Sequence, residues 1–278
     1  MAIKEDTIDR VLGMVNKLPP MPDNVVKLRK VCADPNVRFK DFVPLIEQDP
    51  GLCADILHMS NSAHFGVGHP VETISEAVRF FGMDHLVDFV SISFSEKVVR
   101  KYFSGIRDLN EYFRHSRTVS LAAKILAKKA GKSAVEQEFY AVAGLLHDIG
   151  RLILIIVGDD ESAELIGNNW EYIEDLVHKE QELLGIDHCN VGNKICGKWQ
   201  FSEKLQEAVL RHHTPILTDD FNEEAAFVLL AHFVSMTDFP IDMLLTVYPE
   251  DIIEKMGLSI DRITAARSDY IELEKAIP

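Results

Sequence analysis

Several scarcities narrow the reading before any motif does. The four cysteines, Cys32, Cys53, Cys189 and Cys196, form no C-x-x-C pair. Neither a disulfide scaffold nor a zinc ribbon is expected, and the thiols read as free and reduced. Cys189 and Cys196 can share one helical face as small buried residues. Basic residues are few: 29 Lys and Arg stand against 44 Asp and Glu, a formal charge of −15. Such a chain repels phosphate backbones and anionic lipid at long range, so neither a broad nucleic-acid surface nor a membrane role is expected. No uninterrupted apolar run of bilayer length stands out, and Met1 leads straight into the acidic Lys4-Glu5-Asp6 rather than an apolar signal stretch. A cytoplasmic location is the expectation. Val, Ile and Thr do not alternate cleanly with polar residues over any long stretch, which leaves sheet a minor component. Internal repeats and low-complexity segments are lacking as well.

What remains is ample apolar surface: 47% apolar and 26% charged residues over 278 positions, enough for one large domain or two small ones with real cores. The apolar positions recur at spacings of three and four, with Gly, Pro and Asn between segments, so the chain predicts an all-α fold. The first half predicts helices over Thr7 to Asn16, Asp23 to Ala33, Phe39 to Gln48, a segment starting at Pro50 with Asp49 as N-cap, Ser75 to Gly82 and Asp84 to Phe103. Residues Ser104 to Leu109 read as a connector, dividing the chain into parts 1–106 and 107–278. The second part predicts helices near Glu111–Ala130, Ala134–Ile149, Trp170–Leu184, Val191–Gln200, Glu203–His213 and Glu223–Met236, with two short helices beyond Pro240.

The eleven histidines are not spread evenly over polar positions. His115 continues the row Tyr112, Val119, Ala122, Leu126 on one helical face. His147 and Asp148 close the apolar helix that ends Gly144-Leu145-Leu146. His188 starts a row with Val191, Ile195 and Trp199; His212 continues Leu205, Ala208 and Val209; His232 continues Ala225, Val228 and Leu229. A single histidine on an apolar face is more often a packed core residue than a ligand. Several of them, together with a carboxylate that needs a partner when buried, point instead to a metal site built from several helices. Imidazole and carboxylate donors suit iron, manganese or zinc. His58, His64, His69, His85 and His178 fall outside this set and read as surface or turn residues.

His115 followed by His147-Asp148-Ile149-Gly150 resembles the H…HD ligand pattern of the HD superfamily of metal-dependent phosphohydrolases, in its HDIG form. Upstream, Leu18-Pro19-Pro20-Met21-Pro22, Gln48-Asp49-Pro50, Ser60-Asn61-Ser62-Ala63-His64-Phe65-Gly66 and Ile74 to Gly82 are similar to the helical part that marks HDOD proteins. The resemblance runs from about Leu18 to about Met236. It implies an HD-superfamily helical domain preceded by an HDOD-type N-terminal helical bundle, in a signalling or regulatory protein. It also implies a centre for one or two divalent transition metals, with His115, His147 and Asp148 as its first ligands and Asp148 as the bridge between two ions. His188 and the pair His212-His213 match the further histidines of the HDIG branch, helical phase favouring His212.

Two positions depart from the pattern. The superfamily's last ligand is an aspartate; that place falls on His232, while Asp238 lies six residues further and out of phase. After His212-His213 the chain runs Thr214-Pro215-Ile216-Leu217 rather than into the acidic residue and Gly-Tyr-Pro triplet of cyclic-dinucleotide phosphodiesterases. Partners expected on this reading are signalling proteins or a small phosphorylated ligand, met by Asn61 and Phe65 or in a groove between the two halves. If the site turns over a phosphoester, Asp148 and Arg151 are its expected catalytic residues, and Lys194, Lys198 or Arg211 could help hold phosphate.

Overall fold

The computed structural model describes residues 2–32, 34, 36–61, 70–106, 109–168, 176–214, 216–217 and 220–275. The chain is all-α, and its one sheet among the described residues is a two-residue antiparallel pair, β1 (Ile216–Leu217) with β2 (Asp220–Phe221). The helices are α1 (Ala2–Lys17), α2 (Asp23–Cys32), α3 (Phe39–Glu47), α4 (Pro50–Ser60), α5 (Ile74–Phe81) and α6 (Met83–Tyr102). After these come α7 (Leu109–Lys129), α8 (Ala134–Leu146), α9 (Ile149–Val157), α10 (Asp160–Asn168), α11 (Leu176–Leu184) and α12 (His188–Lys198). The series ends with α13 (Glu203–Arg211), α14 (Glu223–Ser235), α15 (Leu244–Val247), α16 (Glu250–Lys255) and α17 (Ile260–Glu274).

Several starts are set by side chains that satisfy the free amides of the first turn. Asp49 accepts from the amides of Gly51 and Leu52, with Pro50 at the first helical position. Ser133 and Glu136 form a reciprocal capping box at α8. Ser202 and Asn222 cap α13 and α14.

The chain divides into two compact units, residues 1–18, 103–197 and 202–278 in one, 19–102 and 198–201 in the other. The sequence reading placed the boundary at residue 106 and kept α1 with the first part. Here α1 packs on α9 and α11 of the larger unit. In the smaller unit, α2 to α6 bury Phe42, Ile46, Ile56, Ala77, Phe81 and Leu86. Trp199, fully buried, donates its indole N–H to the carbonyl of Pro19 at 3.0 Å, which ties residues 198–201 to the proline-rich start of that unit.

The larger unit is built on α7, which packs against α8, α14 and α17. Helices α8, α9 and α14 are apolar nearly all round and form its centre. The segment Ala134–Val157 is long and apolar enough by composition to cross a membrane, which the sequence reading did not single out. In the structure 83% of its most apolar window is buried inside the protein, as a core element is. Two further expectations change. The helix predicted to run on to Ile149 stops at Leu146, because His147 and Asp148 form a turn from which α9 starts afresh. The tail beyond Pro240 holds, besides the two expected short helices α15 and α16, the 15-residue α17, which packs along α7 and α14. Arg267 of α17 donates to the carbonyls of Phe233 and Phe239, anchoring it there.

Candidate metal centre

Two glycines decide how closely the site-bearing helices approach. A Cβ on Gly150 would lie 2.0 Å from the carbonyl oxygen of His188, so only glycine lets α9 cross the start of α12 and bring His188 beside Asp148. A Cβ on Gly144 would lie 2.9 Å from Cα of Ser120, so α7 and α8 also touch backbone to backbone, which sets His115 beside His147. Six residues then converge in the larger unit, all buried: His115 from α7, His147 and Asp148 from the α8–α9 turn, His188 from α12, His212 at the end of α13 and His232 from α14. His213 is half-buried at the margin, its ring 5.0 Å from that of His188.

The centre has two halves that share Asp148. In one, His147 Nε2 lies 3.3 Å from His115 Nε2 and 2.8 Å from His232 Nε2. Asp148 Oδ2 is 3.3 Å from His147 Nε2 and 3.4 Å from His115 Nε2. In the other, His188 Nε2 and His212 Nε2 are 3.2 Å apart, and Asp148 Oδ1 lies 3.3 and 3.7 Å from them. Two nitrogens each about 2.1 Å from one ion stand about 3.0–3.4 Å apart at octahedral or tetrahedral angles, so most of these separations are those of neighbouring ligands.

The hydrogen bonds on the far side of the rings fix the tautomers. His147 Nδ1 is 2.7 Å from the carbonyl of Gly144, and His212 Nδ1 is 2.7 Å from that of Val209. His188 Nδ1 is 2.6 Å from Glu180 Oε2. Carbonyls and carboxylates only accept, so each Nδ1 carries the proton and each Nε2 presents a bare lone pair to the centre. Lone pairs of His188 and His212 facing one another at 3.2 Å repel unless a cation lies between. Asp148 Oδ1 is buried and receives no hydrogen bond among the described residues. A donor set of this kind, with an orphaned carboxylate oxygen aimed into it, fits a divalent transition metal.

Electrostatics agree. Burial pushes His147 down to about 4 and lowers His115 and His232, which favours the neutral form in which imidazole coordinates. Against its burial, His147 and Arg151 hold Asp148 well below the usual carboxylate range. Against theirs, Cys189 draws His188 and His212 upward while those rings draw its thiol down. Positive charge is therefore favoured between these three groups. Two imidazolium rings cannot face each other at 3.2 Å, and a metal ion supplies the charge without that clash.

Sequence reasoning missed Glu180 and Cys189. Glu180 is fully buried and accepts from both the ring and the backbone N–H of His188, the latter at 2.9 Å. Leu176, Glu180 and Leu184 share the buried stripe of α11, and a carboxylate in that row is the signal that could have marked it. Cys189 lies with Sγ 3.5 Å from His188 Nε2. Only its place next to a candidate histidine hinted at this.

Other expected site residues fall elsewhere. Arg151 does not reach open space: its guanidinium, 2% exposed, donates to Asp148 Oδ2 at 2.8 Å and to the carbonyl of Ile166 at 2.6 Å. It orients Asp148 rather than waiting for phosphate. A cavity of about 450 Å³ opens over the first half, lined by His115 and His232 with Arg114, Thr118, Asp238 and Tyr270 among others. Lys194, Lys198 and Arg211 are not among its lining residues. Asn61 spends its side-chain amide on the smaller unit's own backbone, donating to the carbonyls of Leu57 and Val71 and accepting from the Val71 amide. Phe65 lies outside the described residues.

This arrangement of helices around an H…HD centre is an HD-type fold, and comparison with known proteins makes the class definite. The HDOD domain family matches residues 18–215, so the chain belongs to the HDOD family. A structure of an HDOD domain protein of unknown function from Geobacter sulfurreducens is 21% identical, with a TM-score of 0.67, over 98% of this chain and 97% of that one. A structure from Shewanella amazonensis SB2B named "Putative phosphohydrolase" is 24% identical, with a TM-score of 0.67, over 97% of this chain and 98% of that one. An uncharacterized protein of Treponema pallidum (strain Nichols) is 24% identical over 209 residues, which are 73% of this chain and 39% of that protein. The chain thus spans well under half the length of this curated relative.

Proposed function

We propose that this protein is an HDOD signalling or regulatory protein whose HD centre holds one or two divalent transition metals, iron or manganese first and zinc next. One observation carries the reading: bare Nε2 lone pairs from several helices meet a buried Asp148 carboxylate oxygen that no hydrogen bond satisfies. His115, His147 and His232 would hold one ion, His188 and His212 the other, with Asp148 between them and His213 at the margin. Glu180 orients His188, and Arg151 orients Asp148. Elemental analysis of protein purified without chelator tests this. Between one and two transition-metal ions per chain is the expected result, and a stoichiometry near zero after incubation with iron, manganese and zinc overturns it.

A second reading, turnover of a nucleotide or small phosphoester, is favoured by the cavity over His115 and His232 and agrees with the name carried by the Shewanella amazonensis structure. Bound metal would supply Lewis-acid charge to such a substrate. The cavity's own walls argue for restraint, because Arg114 is accompanied there by Asp238 and Glu274, and Arg114 already pairs with Glu111 at 2.7 Å. Such a lining offers little to a multiply charged phosphate. Metal-replete protein that hydrolyses phosphomonoesters or nucleotides supports this reading. Absence of turnover leaves the regulatory one, in which the partner is a signalling protein or a small phosphorylated ligand.

A further inference from the structure

We infer that Cys189 is a thiolate ligand of the second half of the centre, so that the two halves differ in hardness and the second excludes manganese in favour of zinc, cobalt or iron(II). The inference rests on the metal-binding reading above and extends it to a residue outside the histidine and aspartate pattern.

Donor atoms of four residues, His188, Cys189, His212 and His213, all lie within 4.8 Å of one another. His188 Nε2 and His212 Nε2 are 3.2 Å apart, and Asp148 Oδ1 is 3.3 and 3.7 Å from them. Cys189 Sγ is 3.5 Å from His188 Nε2 and 4.0 Å from His212 Nε2. With metal–sulfur and metal–nitrogen bonds of about 2.3 and 2.1 Å, a tetrahedral ion sets sulfur and nitrogen ligands about 3.6 Å apart, which matches the His188 separation and is shorter than the His212 one. Cys189 and His188 are the first two residues of α12, and although neighbours on a helix point about 100° apart, Sγ and Nε2 come within 3.5 Å. Cys189 is buried among polar site atoms, whereas Cys196, two turns further along α12, is buried where desolvation pushes its thiol up to about 12. Cys196 is therefore the matched control.

Among the described residues the donors of the first half are His115, His147, His232 and Asp148 Oδ2, with no thiol in the set. Thiolate selects softer ions, while an imidazole and carboxylate set accepts manganese and iron as well. Metal binding at the second half displaces the thiol proton to solvent, and the sulfur donates its lone pair to the ion.

Cobalt(II) titration of the whole chain tests this, read by absorbance. A thiolate ligand gives a sulfur-to-cobalt charge-transfer band in the near ultraviolet, which imidazole and carboxylate ligands do not. The band is expected to saturate with about one equivalent bound through sulfur, to vanish in Cys189→Ser and to persist in Cys196→Ser. Cobalt bound in the same stoichiometry without this band, or a band that survives Cys189→Ser, overturns the thiolate ligand and leaves the metal centre standing. No cobalt bound at all overturns both. Should Cys189→Ser fail to fold, cadmium-113 NMR of the unaltered chain decides: a resonance in the sulfur-ligated range is expected, and resonances confined to the nitrogen and oxygen range overturn the proposal.

Discussion

At Glu180 the energetic logic of the centre is clearest. Its carboxylate is fully buried, and among the described residues its hydrogen-bond donors are the ring and amide of His188. An anion so placed is stabilised by the imidazole proton and, through the ring, by a cation on Nε2. Glu180→Gln keeps the shape and removes the charge. Metal affinity at the second half is expected to fall about 10–100-fold, measured by competition with a chromophoric chelator, as for other carboxylates behind ligating histidines. Asp148→Asn acts differently, because Arg151 stands against it in the core. Breaking a buried pair from one side costs about 3–5 kcal/mol, so this variant is expected to melt well below the unaltered protein as well as lose metal. His147 bears on pH. Unfolded, its imidazole binds a proton near pH 6.5; folded, burial delays that to about 4. Between those values the unfolded chain holds the extra proton, so the contribution of His147 to stability falls as pH is lowered through that window. Imidazole resonances followed by NMR are expected to show His147 neutral at pH 5, and titration near 6.5 would contradict its burial.

Element by element, the centre depends on backbone approach more than on propensity. Gly150 and Gly144 mark where α9 meets α12 and α8 meets α7. Gly150→Ala must push its Cβ into the His188 carbonyl, and the helices must part, at a cost of about 1–3 kcal/mol or more. Loss of metal is expected with loss of melting temperature. Gly13 in α1 is the counter-case: a Cβ there meets nothing within 4 Å, so Gly13→Ala is expected to stabilise by up to about 1 kcal/mol with the metal content unchanged. Thermal melts with elemental analysis of both variants separate close approach from a general intolerance of change. The elements were legible from sequence where caps and breakers were local. Asp49-Pro50 starts α4 and Ser133 starts α8 as their residue types dictate. The His147-Asp148 break was not legible, since no Gly or Pro stands at the break itself and apolar residues continue on both sides.

On the scale of the molecule, the candidate metal donors belong to the larger unit, and no described residue of 19–102 is among them. A ligand at 100 times its dissociation constant stabilises the fold that binds it by about 2.7 kcal/mol. Chelation is therefore expected to lower the melting transition of the larger unit by several degrees, followed by calorimetry with and without metal restored. A single transition unmoved by chelator would mean that the centre is not occupied. The charge of −15 belongs to this scale too. It disfavours broad phosphate surfaces while leaving room for a cation-binding centre, where negative potential assists.

Sequence by itself determined that the chain is helical, because a three-four apolar spacing cannot bury itself any other way. It also determined which histidines face inward, because each lies in phase with its helix's apolar row. Membership of the HDOD family was written in the segments around Pro19, Asp49 and Asn61 as much as in His147-Asp148. Tertiary structure alone decided the rest. Whether Arg151 meets solvent or Asp148, whether Glu180 backs His188, whether Asn61 holds a ligand or its own chain, and whether Cys189 joins the donors depend on side-chain placements that helical periodicity does not specify, even between near neighbours in sequence. Periodicity tells which side of a helix is buried; only packing tells what it is buried against.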